Sequence, residues 1–131
     1  MDRIVVLLSL FTCPAFFSGC ATGPGAMEYK SPNNALPTME RVANNAHKCW
    51  FKVNNQTFAK YQFAPELNSY SQRPRILIVP AHNPSERPVL VIEAQGSPAK
   101  VSVYGNMMDQ KEGKRIAKDV ERWVKGDNNC S

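Results

Sequence analysis

Few side chains in this chain could carry out acid–base or metal chemistry, and those few are scattered. The two histidines, His47 and His82, have no cysteine or histidine at the spacing of a metal site. The carboxylates fall on predicted loops and on an exposed helix face, so no acid–base pair is evident; they are Glu66, Glu86, Glu93, Asp109, Glu112, Asp119 and Glu121. No G-x-S-x-G, H-E-x-x-H, P-loop or G-x-G-x-x-G string occurs. We therefore expect a non-enzymatic protein with no catalytic residues, no metal and no cofactor.

Cys20 is the residue whose surroundings are most specific. It closes the string Phe17-Ser18-Gly19-Cys20, directly after an apolar run that begins at Ile4. Arg3 and the amino terminus supply a short positive region before that run. The run has roughly the 7 to 15 apolar residues of a secretory signal peptide, too few to span a bilayer as a mature helix. The pattern predicts a cleaved signal peptide over residues 1–19.

This string resembles the end of a bacterial lipoprotein signal peptide. The resemblance implies that cleavage leaves Cys20 as the first residue, with a diacylglycerol on its thiol and usually a third acyl chain, such as palmitate, on its amine. Ala21 is not the aspartate that retains enteric lipoproteins, so the resemblance implies the periplasmic face of the outer membrane, with the inner membrane as the alternative. The folded part resembles small Gram-negative envelope lipoproteins in a general way. The competing interpretation is an ordinary secretory signal cut after Gly19 or Ala21.

The number of cysteines separates these two interpretations. A cut after Gly19 without lipidation leaves Cys20, Cys49 and Cys130, an odd number of thiols in an oxidising compartment. Lipidation of Cys20 leaves Cys49 and Cys130 to pair in the periplasm, where disulfides persist. That bond would close a loop of about 80 residues and contribute on the order of 4 kcal/mol. The alternative is that Cys49 is a buried apolar thiol and Cys130 belongs to a frayed tail.

Composition predicts one folded domain behind a tether. Residues 20–35 are small, polar and interrupted by prolines, which predicts a lipidated tether, and residues 36–131 suffice for one modest core. The net charge of +5 is a mild basic excess. On the last predicted helix the basic residues alternate with acidic ones and are not interleaved with aromatics, so we expect no nucleic-acid partner. The lipid makes the membrane the first partner.

Two segments have the three- and four-residue apolar spacing of amphipathic helices. The first lies at about 37–51. The second runs from Met108 or Asp109 to Lys125, where Asp109 with Glu112 forms the pattern of a capping box. Both stripes need an apolar partner, which must come from the residues between the helices.

Between the helices the apolar period changes to two, which indicates strands. The predicted strands are 60–63, 75–79, 89–92 and 100–104. The order α-β-β-β-β-α with short links favours an antiparallel four-stranded meander with both helices on one face, a two-layer α+β sandwich. We expect Trp50 and Trp123, which continue the helical stripes, to be buried between the layers.

The two central strands are unusually apolar. Segments 76–79 and 89–92 have no polar interruption, whereas a strand covered on one face should alternate. This pattern predicts that both faces are shielded by the tether, by a long loop or by another protein. The alternative is that they are ordinary β-branched residues on a solvated strand.

Three classes of function remain open. The favoured one is an accessory or binding module that contacts an envelope protein or cell-wall material through its sheet face or through loops 65–74 and 82–88. The candidate contact residues are His82, Asn83, Glu86, Arg87, Arg73 and Arg75. The second is a small periplasmic inhibitor or immunity-type protein that acts through the loop from His82 to Pro88. The third, disfavoured by the missing acid–base pair, is an enzyme that acts on the cell wall.

Overall fold

The computed structural model describes residues 26–68 and 70–131. The predicted signal peptide, the predicted lipidation site Cys20 and the first part of the predicted tether lie outside the described residues. Neither helix of the described part is long and apolar enough to cross a bilayer.

One antiparallel sheet of five strands forms the centre of the fold. Its order is β1-β5-β4-β3-β2. The strands are β1 Met27–Lys30, β2 Tyr61–Glu66, β3 Arg75–Pro80, β4 Leu90–Gln95 and β5 Lys100–Tyr104. The four strands from the sequence pattern are all present and form the predicted meander, and the α+β class is confirmed.

The prediction of four strands is wrong by one. Met27–Lys30, which we assigned to the tether, pairs with β5 in the register Met27↔Val103 to Lys30↔Lys100. Pairing there satisfies backbone groups along β5 that would otherwise form an open sheet edge. The new edge strand is short and carries charged side chains at Glu28 and Lys30, a common way for a sheet edge to avoid further pairing.

Both helices cross the same face of the sheet. The first, α1, spans Ala35–Ala46 and continues into a π-helical turn, His47–Lys52. The second, α2, spans Gly113–Val124. The predicted start of α2 near Asp109 is too early, because Asn106–Asp109 forms a separate 3-10 turn that packs over the helix start. A Cβ on Gly113 would lie 2.0 Å from the Met108 carbonyl oxygen, so only glycine fits beneath this turn.

The core lies between the helices and the inner face of the sheet. Alternate strand residues point inward and are fully buried; they include Ile76, Ile78, Leu90, Ile92, Val101 and Val103. Trp50 is 1 % exposed and Trp123 is 0 % exposed, so the predicted burial of both indoles is confirmed. The Trp50 ring stacks on Phe58 at 4.8 Å between centroids and lies 5.1 Å from Trp123. Aromatic contacts of this kind add to the energy of area burial.

The C-terminal tail is bound to the helices by the predicted disulfide. Cys49 and Cys130 are bonded, with their Cα atoms 5.4 Å apart. Hydrogen bonds hold the same tail, because Asn45 Nδ2 donates to Asn128 Oδ1 at 2.9 Å and Trp123 Nε1 donates to the Asn129 carbonyl oxygen at 3.0 Å. Cys130 therefore belongs to an ordered tail and Cys49 to the core.

Candidate functional site

The second face of the sheet carries no helix, and we call it the helix-free face. Because side chains alternate along a strand, the residues between the core positions point to this face. The register aligns Ala64, Leu77, Val91 and Tyr104 in one row across β2, β3, β4 and β5. The first three are half-buried and Tyr104 is 37 % exposed.

The structure shows how far the helix-free face of the two central strands is shielded. Residues Met27–Lys30 of the predicted tether lie in the plane of the sheet and not over the helix-free face. Val79 is buried, but Leu77 and Val91 keep part of their surface open. The uninterrupted apolar runs therefore place one set of side chains in the core and a second, partly open set on the helix-free face.

A charged row borders this apolar row. Register pairs place Glu66, Arg75, Glu93, Ser102 and Glu28 across the five strands. Arg75 Nε lies 2.6 Å from Glu66 Oε2, and both side chains are about half exposed, so the pair contributes little to stability, roughly 0 to 1 kcal/mol. Glu93 is half-buried and forms no ion pair with any described residue.

Tyr104 joins the apolar row to the charged row. Burial raises the pKa of Tyr104 above its ordinary value, and the charge of Glu93 and a hydrogen bond between the two side chains raise it further. The positive charges of Arg75 and Arg73 oppose the rise in this pKa. Glu93 therefore favours the protonated form of the Tyr104 hydroxyl.

The six candidate contact residues do not form one surface. His82, Asn83, Glu86 and Arg87 lie on an exposed loop between β3 and β4. Within it, Asn83 Nδ2 donates to Glu86 Oε1 at 3.2 Å, and His82 Nε2 lies 3.6 Å from the same oxygen. Arg73 and Arg75 lie at the opposite end of β3, where Arg75 contributes to the charged row.

Asp119 lies in a different environment from the one that the sequence pattern predicts. We placed it on an exposed helix face, but it is 0 % exposed. Its carboxylate accepts hydrogen bonds from Trp50 Nε1 at 2.9 Å and Arg122 Nη2 at 2.7 Å, and Arg115 Nε lies 3.8 Å away. Arginines at positions i−4 and i+3 were the only signal in the sequence. With its oxygens paired and covered, Asp119 has a structural role.

Two clefts share Tyr61 as a lining residue. The first has a volume of about 410 Å³ and lies against the π-helical turn and residues 53–59. The second, of about 550 Å³, lies between residues 56–61 and 107–112; it is lined by Gln56, Thr57, Lys60, Tyr61, Met107, Gln110, Lys111 and Glu112. Within the described part of the chain, no group of three or more His, Cys, Asp or Glu side chains could hold a metal ion.

Comparisons with known proteins do not indicate a function, so the function has to be inferred from these surfaces. The chain has no significant match among protein-family models, curated proteins or solved structures.

Proposed function

We propose that this protein is a non-enzymatic envelope lipoprotein, a binding module anchored by a lipid on Cys20. The position of Cys20 after a short apolar run supports the anchor. The disulfide between Cys49 and Cys130 is consistent with an oxidising compartment such as the periplasm. The resemblance of the string ending at Cys20 to a lipoprotein signal peptide supports the outer membrane as the location of the protein.

The composition of the helix-free face is the main support for a binding role. It combines partly exposed apolar side chains with a tyrosine and an arginine, residue types that are enriched at protein interfaces. Glu93 beside them has no ion-pair partner among the described residues. The face fits a protein partner with an apolar centre and a basic side chain that reaches Glu93.

Site-specific photocrosslinking in intact envelopes tests this face. A photoreactive phenylalanine at Tyr104 replaces one aromatic by another, and the same group at Lys118 on the exposed side of α2 is the matched control. We expect an adduct of one defined mass from position 104, none of that mass from position 118, and loss of the adduct on Glu93→Lys. Equal adducts from both positions, or an adduct that tolerates Glu93→Lys, would overturn the proposal.

One observation favours a second candidate, the inhibitor or immunity-type protein. The loop at 81–87 is exposed throughout, and its own hydrogen bonds give it a defined shape, including Asn83 N to the Pro80 carbonyl oxygen at 3.3 Å. A protruding ordered loop suits insertion into a partner's cleft. A crosslinked adduct from position 83 and none from position 104 would favour this candidate over the sheet-face module.

A further inference from the structure

The register shows where the chain enters the sheet from its amino-terminal side. Met27, the first residue of β1, pairs with Val103, and the same end of the sheet holds Tyr61, Pro80 and Leu90. We call this end of the sheet the anchor end. Three connections meet there: residues 53–60, 81–89 and 105–112.

The tether places the anchor end within reach of the bilayer if Cys20 carries the lipid, a step that rests on the proposed function. Seven residue steps separate Cys20 from Met27. A chain of that length spans at most about 25 Å when fully extended. Met27 and the three connections beside it at the anchor end are therefore within reach of the membrane surface.

Main-chain hydrogen bonds hold these three connections together. Ala81 N donates to the Lys60 carbonyl oxygen at 3.0 Å, and Met107 N donates to the Val89 carbonyl oxygen at 3.0 Å. The 550 Å³ cleft lies between two of the connections, 53–60 and 105–112. Its volume is in the range of small-molecule sites, and its walls belong to ordered backbone.

Cations exceed anions around this cleft. Lys60 forms no ion pair with any described residue; its Nζ lies 5.4 Å from the centre of the Tyr61 ring. Lys111 has a side chain 91 % exposed and lies 3.8 Å from Glu112, so this pair is loose. The lining also includes three neutral hydrogen-bonding side chains, Gln56, Thr57 and Gln110. A lining with two lysines, one acid and side-chain amides suits a phosphate ester.

We propose that this cleft binds the phosphate-bearing head group of an anionic lipid in the membrane that anchors the protein. The two lysines would pair with the phosphate, and the amide groups would bond the polar part of the head group. Binding would add a second contact to the lipid anchor and would hold the anchor end against the bilayer. Basic residues beside a membrane surface are attracted to its anionic lipids.

Hydrogen exchange on the full lipidated protein tests the proposal. The protein is bound to vesicles of phosphatidylcholine alone, or of phosphatidylcholine with phosphatidylglycerol, and amide exchange is compared at 56–61 and 107–112. We expect slower exchange in both segments with phosphatidylglycerol. A lysine at an anionic surface strengthens binding about five-fold, so Lys60→Gln combined with Lys111→Gln should weaken the phosphatidylglycerol-dependent protection by on the order of 25-fold.

A matched control removes the same charge from the other end of the sheet. Lys30→Gln combined with Lys100→Gln should leave the protection unchanged, because both residues are exposed and pair with each other at the end of the sheet opposite the anchor end. Equal exchange on the two vesicle types, or equal loss in both double variants, would overturn the inference. Full protection by inorganic phosphate on phosphatidylcholine vesicles would overturn the assignment to a lipid. A protein that fails to float with either vesicle type would instead count against the lipid anchor.

Discussion

The indole Nε1 of Trp50 donates a 2.9 Å hydrogen bond to the carboxylate of Asp119, in the core between α1 and α2. This contact joins the π-helical turn to the middle of α2 and gives a buried charge a partner. Arg122 supplies the second partner at the edge of the core. Removal of the Asp119 carboxylate would leave the Trp50 indole N–H and the Arg122 guanidinium without their hydrogen-bond acceptor.

We therefore expect Asp119→Ala to destabilise the protein by about 3 kcal/mol, because a buried donor and a partly buried cation lose their acceptor. Urea unfolding followed by tryptophan emission measures the change. The control is Glu121→Gln on the same helix, which removes an exposed pair with Lys125 and should change stability by less than about 0.5 kcal/mol. Similar costs for the two variants would refute the structural role of Asp119.

The disulfide between Cys49 and Cys130 should stabilise the fold by on the order of 4 kcal/mol, since it closes a loop of 81 residues. We expect Cys130→Ser to lower the melting temperature, and a reductant to lower that of the wild type but not that of the variant. Native wild-type protein should show no maleimide-reactive thiol at either position. Reaction of both thiols before unfolding would contradict the bond.

Tyr104 should titrate above the ordinary tyrosine pKa, because burial and Glu93 raise it. The raised pKa favours the protonated folded state, so this contribution to stability is complete below about pH 10 and declines as the pH rises through the folded pKa. Glu93→Gln should move the Tyr104 pKa back toward its ordinary value. Ultraviolet titration of phenolate, with Tyr104→Phe to assign the signal, measures this shift; an unchanged pKa in Glu93→Gln would rule out the contribution of Glu93.

Cys20 should carry the lipid. A clickable palmitate analogue should label wild-type protein in cells and leave Cys20→Ser unlabelled, and wild type should fractionate with the outer membrane. Cys49→Ser is the matched control, because it removes a cysteine from the core without touching the anchor. Equal labelling of wild type and Cys20→Ser would reject the lipoprotein assignment.

The sequence by itself determined the features that depend on neighbours along the chain. Periods of two and of three to four residues located all four strands from 61 to 104 and both helices, and the apolar stripes correctly predicted the burial of Trp50 and Trp123. Parity of the thiols correctly predicted which cysteines pair. Each of these predictions depends only on the spacing of residues along the chain or on the number of cysteines, and both can be read directly from the sequence.

Tertiary structure decided the features that depend on residues far apart in the chain. Strand β1 is only four residues long, and its pairing with β5 across about seventy intervening residues has no local signature. Asp119 is buried because Trp50 brings a donor from 69 positions away. The candidate residues near 73 and 82 are close in sequence, yet β3 separates them to opposite ends of the sheet. A strand extends about 3.3 Å per residue, so six residues of β3 hold them roughly 20 Å apart, and only the folded sheet shows which end each occupies.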